Sequence, residues 1–118
     1  MKVILNTENA YQAVRLRELI IRGIKKELDN VEIDTWAYTK SAEDYDIIYH
    51  NLPQYVNNPD KNVLFRLVLD GADVVFKLVW WKSKPEPDEK TKSLHTGRLV
   101  EMLLSHFMQS IIKLSIVD

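Results

Sequence analysis

Two apolar runs that meet at an Asp-Gly pair constrain this chain more than any other feature. Residues 63–82 read VLFRLVLDGADVVFKLVWWK, with Asp70 and Gly71 between the runs. Asp-Gly flanked by apolar residues is a strong signal for a tight β-hairpin, because such turns need a positive φ at their centre. We therefore predict two antiparallel strands, in which a two-residue loop at Asp70-Gly71 places Leu67 opposite Val74.

Both faces of this hairpin are rich in apolar side chains. One face, which holds Val63, Phe65 and Phe76, is wholly apolar and is expected to lie on the core. The other face is mostly aliphatic, with two cations among the aliphatic side chains: Leu64, Arg66, Val68, Asp73, Val75, Lys77, Val79 and Trp81. A sheet face that meets water normally carries polar residues. We therefore expect this second face to be covered by a helix of the same chain, a second copy or another partner.

The composition excludes several classes of protein. The chain has 118 residues, enough for a single core, and residues 1–118 are expected to form one α+β domain. The absence of cysteine rules out disulfide frameworks, thiolate nucleophiles and cysteine-ligated zinc. No apolar run approaches the ~20 residues of a membrane span, and residues 1–9 do not read as a signal peptide. We expect a cytoplasmic protein with no membrane partner and no cofactor, and a net charge of −1 adds no general attraction for nucleic acid.

The remaining patterns predict two helices and two further strands. Thr7 is the expected N-cap of a helix that runs to about residue 28, with apolar residues at a period of 3.6. Alternation predicts strands at 31–39 and 45–51, and a broad apolar stripe predicts a largely enclosed helix at 93–114. The predicted fold class is α+β, a two- or three-layer sandwich with an antiparallel sheet of about four strands in the order α-β-β-β-β-α.

Three short stretches allow more than one assignment. Residues 2–5 form either a short strand or a lead-in to the first helix. Residues 115–118 either extend the final helix or pair as a short terminal strand, and residues 54–56 allow a single helical turn. Each stretch is too short for its pattern to decide between these alternatives.

Candidate catalytic chemistry is sparse. If the two strands after the first helix pair directly, Trp36 lies near Ile48 and Asp34 near His50. A cluster of Asp34, Asp46 and His50 is one hypothesis for a metal-dependent hydrolase, since carboxylates and histidines bind divalent ions. No spacing motif for a metal, a serine nucleophile or a phosphate-binding loop supports it. We therefore predict no catalytic residues and no metal ligands, and we expect that the protein is not an enzyme.

Nucleic-acid binding is the main alternative function. One sheet face would carry two cations and aromatic rings that stack unpaired bases: Trp36, Tyr38, Trp81, Arg66 and Lys77. The final loop and the helix after it add a basic run: Lys82, Lys84, Lys90, Lys92 and Arg98. The element order is similar to that of double-stranded RNA-binding domains, which place strands between two helices and use cations at the start of the second. Against this function, residues 29–60 hold seven acids and one lysine, and acids such as Asp34 and Asp46 are expected to neutralise the sheet cations.

The surplus apolar face of the hairpin favours protein binding instead. A large apolar patch on a small protein usually marks an interface, and a twofold homodimer is the commonest way to cover it. We predict a small non-enzymatic protein-interaction module, such as a regulator, an inhibitor or immunity-type protein, or an assembly subunit. The expected interface residues, among which the two cations fix the register, are Trp36, Leu64, Arg66, Val68, Val75, Lys77, Val79 and Trp81.

Overall fold

The fold was determined as a computed structural model that describes residues 1–53 and 63–118. Its elements, in chain order, are β1 (Lys2–Asn6), α1 (Ala10–Ile24), β2 (Trp36–Lys40), β3 (Asp46–His50), β4 (Leu64–Asp70), β5 (Asp73–Val79), α2 (Glu89–Phe107), a 3₁₀ turn (Met108–Ser110) and β6 (Lys113–Val117). The helical turn predicted at 54–56 lies outside the described residues.

The six strands form one antiparallel sheet in the order β2-β3-β4-β5-β1-β6. The predicted α+β class with an antiparallel sheet and two helices is confirmed, but the prediction of about four strands is wrong. β1 and β6 supply the two missing strands, so the order is β-α-β-β-β-β-α-β rather than α-β-β-β-β-α. The same two strands separate this chain from the element order of double-stranded RNA-binding domains.

The predicted hairpin is present, with its register shifted. Gly71 and Ala72, rather than Asp70 and Gly71, are the two central residues of the loop, so that Asp70 pairs with Asp73 and Leu67 with Phe76. Gly71 has a φ of 58°, which suits the first central position of a two-residue hairpin loop. Because the side-chain period of a strand is two, this shift changes the cross-strand partners but leaves each residue on its predicted face.

The β2–β3 pair also differs from its predicted register. Trp36 lies opposite His50 instead of near Ile48. The loop between these strands closes through Ser41 and Tyr45: the Ser41 N–H donates to the Tyr45 carbonyl at 3.0 Å, and the Tyr45 N–H donates to Ser41 Oγ at 3.0 Å. This loop begins and ends one residue later than predicted, which moves the partners by two. Residues 31–35 precede the strand and are not part of it.

The N-cap of α1 is Asn9 rather than Thr7. The Asn9 side chain accepts a hydrogen bond from the Gln12 N–H at 2.9 Å, as an N-cap residue should. Thr7 instead donates from its hydroxyl to the Ala72 carbonyl at 2.7 Å, which ties the end of β1 to the hairpin turn. The helix ends at Ile24, four residues before the predicted end.

The second helix lies nearer to the N-terminus than predicted. It begins at Glu89, behind an Asp88 N-cap that accepts from the Thr91 N–H at 2.7 Å, and it ends at Phe107. The chain then turns, and the Ile112 N–H donates to the Asn6 carbonyl at 2.9 Å, which brings the following residues beside β1. The predicted continuation of the helix to 114 is therefore wrong, because Met108–Ser110 is the 3₁₀ turn and β6 begins at Lys113. The helix is only half enclosed, because several of its side chains face solvent.

Both helices pack on the same face of the sheet, which gives a two-layer sandwich. One cluster of buried side chains joins the two helices to one side of every strand from β1 to β5: Leu16, Ile20 and Ile24 of α1, Leu99, Leu103 and Phe107 of α2, and Val3, Trp36, Ile48, Phe65 and Phe76 of the sheet. Within the described residues, neither helix has the length and apolar character that crossing a bilayer requires.

Gly23 of α1 packs tightly against core side chains, one of which belongs to α2. A Cβ at this position would lie 3.2 Å from Phe107 Cζ and 3.3 Å from both Ile33 Cδ1 and Val31 Cγ1. Gly97 on α2 is its natural counterpart, because a Cβ there would meet no atom within 4 Å. Replacing each glycine with alanine therefore distinguishes two effects: both substitutions raise helix propensity, but only the one at Gly23 crowds neighbouring side chains.

We expect Gly23→Ala to lower the free energy of unfolding by about 1 kcal/mol, because crowding three core side chains outweighs the propensity gain of alanine. Gly97→Ala, the matched control, is expected to raise it by up to about 1 kcal/mol, because only propensity changes there. Urea unfolding followed by circular dichroism measures both values. An equal stabilisation by the two substitutions would contradict the packing described at Gly23.

Candidate functional site

The face of the sheet that points away from both helices is the main candidate site, and we call it the outer face. Ile47, Leu64 and Val75 lie on it, and all three are buried without belonging to the core cluster. Its other apolar members on β1, β4 and β5, which are half-buried, are Ile4, Val68 and Val79. Among the described residues, no helix lies over this face.

Strand pairing arranges the centre of the outer face in three parallel rows. The middle row is apolar and consists of Val68 on β4, Val75 on β5 and Ile4 on β1. The row on one side is cationic and consists of Arg66, Lys77 and Lys2. The row on the other side is acidic and polar and consists of Asp70, Asp73 and Asn6. Each outer row lies two residues, or about 7 Å, from the middle one.

The cationic row is electrostatically unfavourable in the isolated chain. Arg66 is directly opposite Lys77, and Lys77 is directly opposite Lys2, and like charges at such positions destabilise a sheet. In residues 1–53 and 63–118, none of the three is in an ion pair. The Arg66 guanidinium lies 4.1 Å from the centroid of the Tyr45 ring, and its Nε is buried without a hydrogen-bond partner there.

The acids expected to neutralise these cations are elsewhere. Asp46 lies on the helix side of the sheet, where it accepts a 2.5 Å hydrogen bond from the Tyr38 hydroxyl. Asp34 is exposed and lies 3.6 Å from the Lys26 ammonium. The prediction that acids of the first hairpin would pair with the outer-face cations is therefore wrong.

A shallow groove of about 420 Å³ opens at one end of the outer face, beyond the cationic row. Its walls are mostly apolar, and Trp81 is 38% exposed in it. The lining of the groove includes Tyr45, Ile47, Leu64, Arg66, Val79 and Trp81. Exposed aromatic and arginine side chains beside a depression are the combination that protein interfaces use for their strongest contacts.

The structure brings together seven of the eight residues predicted for the interface. Four of them belong to the rows of the outer face, namely Arg66, Val68, Val75 and Lys77, and the other three line the groove, namely Leu64, Val79 and Trp81. Trp36 is the exception. Its side chain is 5% exposed and lies in the core, with its ring centroid 5.1 Å from that of His50. The reason is that side chains alternate along β2, and position 36 points to the helix side of the sheet.

The residues predicted for nucleic-acid binding do not share one surface. Tyr38 faces the helix layer, where burial and the hydrogen bond to Asp46 raise its pKa to about 12. Lys92 is buried against Glu86 and Glu89, 5.2 Å above the Trp80 ring. The remaining cations are exposed on the long loop and α2, where two of them are paired with acids: Lys82, Lys84, Lys90 and Arg98.

A second, polar cleft of about 250 Å³ lies between α2 and residues 32–36, which lead into β2. His50 lies at its base and is 5% exposed. Burial lowers the pKa of His50 below its usual range, and the nearby Arg98 lowers it further while Glu101 opposes the change. Asp46 is four residues away on the same strand, about 13 Å, so it cannot act with His50. In the described part of the chain, no three acids or histidines are placed to hold a metal ion.

Lys2 and Ile4 of β1 are members of the outer face that the sequence patterns did not predict. The signal was present, since residues 2–5 carry a lysine before three apolar residues, but their strand partners are 69 or more positions away. Comparison of the chain with protein-family models, with curated proteins and with solved structures found no match.

The polar cleft makes stability depend on pH through His50. With its pKa lowered in the fold, His50 binds fewer protons than in the unfolded chain, so stability falls as pH drops below about 6.5. We expect His50→Gln to lose less stability than the parent between about pH 7.5 and 5.5. Thermal melts at both pH values measure the difference, with the exposed His106→Gln as the control. Equal losses in parent and His50→Gln would contradict this assignment.

Proposed function

We propose that this protein is a small non-enzymatic interaction module that binds a protein partner through its outer face. The observation that carries the proposal is the placement of both helices on one side of the sheet. This placement leaves the apolar middle row, the cationic row and the groove beside Trp81 on the other side of the sheet. Regulators, inhibitors and assembly subunits would all use such a face in the same way.

The physical case rests on what a partner would remove from water. Burying apolar surface contributes about 25 cal/mol per Å², and Trp81, Val79 and Val68 all have surface left to bury. The cations add specificity, because an opposite charge placed over Arg66 and Lys77 would relieve their mutual repulsion. A partner that fits this face is therefore apolar at its centre and acidic beside it.

A photo-crosslinker placed in the groove tests the proposal directly. With p-benzoylphenylalanine at position 81, we expect covalent adducts with protein when the chain is produced in its native cells and irradiated, because Trp81 is at the proposed contact. The matched control is the same substitution at Tyr11, an aromatic residue that is 70% exposed on α1. Equal adducts at both positions, or none at position 81, would overturn the proposal.

Nucleic-acid binding remains the second candidate, and the unpaired cationic row is the observation that favours it. The row places three cations about 4.8 Å apart from strand to strand, close to two aromatic rings, Tyr45 and Trp81. The acidic row lies beside the same apolar centre and opposes a polyanion.

We expect no binding of mixed-sequence single-stranded or duplex oligonucleotides of about 20 nucleotides, because the acidic row repels phosphates. Fluorescence anisotropy at low salt is the measurement. Binding that falls steeply with salt and is weakened by Arg66→Ala, but not by Lys90→Ala on α2, would favour the nucleic-acid function instead.

A further inference from the structure

We infer that the partner of the outer face is a second copy of this chain, packed face to face about a twofold axis that runs along the apolar middle row. The inference rests on the proposed function and names its partner. It follows from the order of the three rows. The cations Arg66, Lys77 and Lys2 lie on one side of the middle row, and Asp70, Asp73 and the neutral Asn6 lie at the same distance on the other side.

The charges of the two copies match under this symmetry. On β4, Arg66 is two residues before Val68 and Asp70 is two residues after it. On β5, the chain runs the other way, and Lys77 and Asp73 flank Val75 in the same manner. A twofold axis along the middle row exchanges its two sides. It therefore places Arg66 over the partner's Asp70 and Lys77 over the partner's Asp73.

The middle row meets its own copy in this arrangement. Val68, Val75 and Ile4 of one chain pack on the same three residues of the other, which is the isologous contact of a twofold dimer. Sheets packed face to face lie about 10 Å apart, a distance that aliphatic side chains fill and that arginine and lysine span. Six strands of five to seven residues make a face of about 29 by 20 Å, or about 580 Å² on each copy, and two copies together reach the roughly 1,000 Å² that a stable interface needs.

The arrangement also fills the groove. The hairpin turn lies at one end of the face, just beyond the acidic row. The pair Leu64 and Val79 lies at the opposite end, just beyond the cationic row. The same axis therefore brings the partner's turn over Leu64 and Val79, beside Trp81. Gly71 and Ala72 form a small turn, and the site of a Cβ on Gly71 has no atom within 4 Å, so the turn projects freely.

The charges select this axis over the other face-to-face arrangement. A twofold axis along the strand direction would place the cationic row of one copy over the cationic row of the other. Juxtaposed like charges weaken an interface, so that arrangement is disfavoured. The cationic row, whose charges repel one another in a single chain, therefore fixes how the two chains of the dimer are aligned.

Charge reversal tests the inference, with sedimentation equilibrium as the measurement. We expect the parent chain to be a dimer at about 100 µM, and Lys77→Glu to raise the dimer dissociation constant at least about tenfold. Lys77 is exposed, and its reversal relieves the repulsion from Arg66 and Lys2, so the fold itself is not weakened. Asp73→Lys is expected to have the same effect, and the double variant to recover the parent constant to within about threefold.

A second pair guards against a folding defect, because Asp73 also accepts a 2.6 Å hydrogen bond from the Asn6 amide. Asp70→Lys, at an exposed position, should weaken the dimer, and adding Arg66→Glu should restore it. A parent chain that stays monomeric to about 1 mM overturns the inference, as does a dimer that ignores the single reversals or is not rescued by the doubles. If the chain does not dimerise but the crosslinker at position 81 captures a different protein, the inference is wrong and the proposed function stands. If there is neither a dimer nor an adduct, the inference and the proposed function are both wrong.

Discussion

The alternation of side chains along β4 and β5 is the constraint on which the rest of the structure depends. Each strand has seven residues, and the tight turn at Gly71 fixes the register between them, so that every second side chain points to the helices and the others point away. Phe65 and Phe76 become the centre of the core in this way, and both helices follow them to the same side. The side without helices keeps the aliphatic and cationic residues in ordered rows.

The sequence predicted the parts of the fold that are encoded locally. The hairpin, its two faces and the two helices each follow from a pattern within about twenty neighbouring residues, where periodicity and turn chemistry are informative. The ends of these elements were less accurate because single hydrogen bonds decide them. Thr7 illustrates this, since its hydroxyl bonds to the hairpin turn and leaves the cap of α1 to Asn9.

The errors concern contacts between distant parts of the chain. β1 and β6 have five residues each, too few for a pattern, and their pairing partners are far away in sequence. Trp36 was expected at the interface because its own strand gives no sign of which face the helices occupy. Most of the candidate surface could be predicted, because it lies on the hairpin, whereas the cationic row needed Lys2 and therefore needed β1.

The position of β1 has a consequence for how the chain acquires its structure. This strand lies between β5 and β6, so its two edges pair with residues 73–77 and 113–117. During synthesis, β1 emerges well before either strand that pairs with it, so its backbone groups stay unpaired until residues 73–77 and 113–117 have followed. Loop closure over such separations is slow, and unpaired strand edges invite aggregation in the meantime. Val3 and Leu5 of β1 belong to the same buried cluster as Leu16 and Ile20 of α1, and α1 follows β1 directly in the chain, so this helix can cover the apolar side of β1 before its strand partners pair.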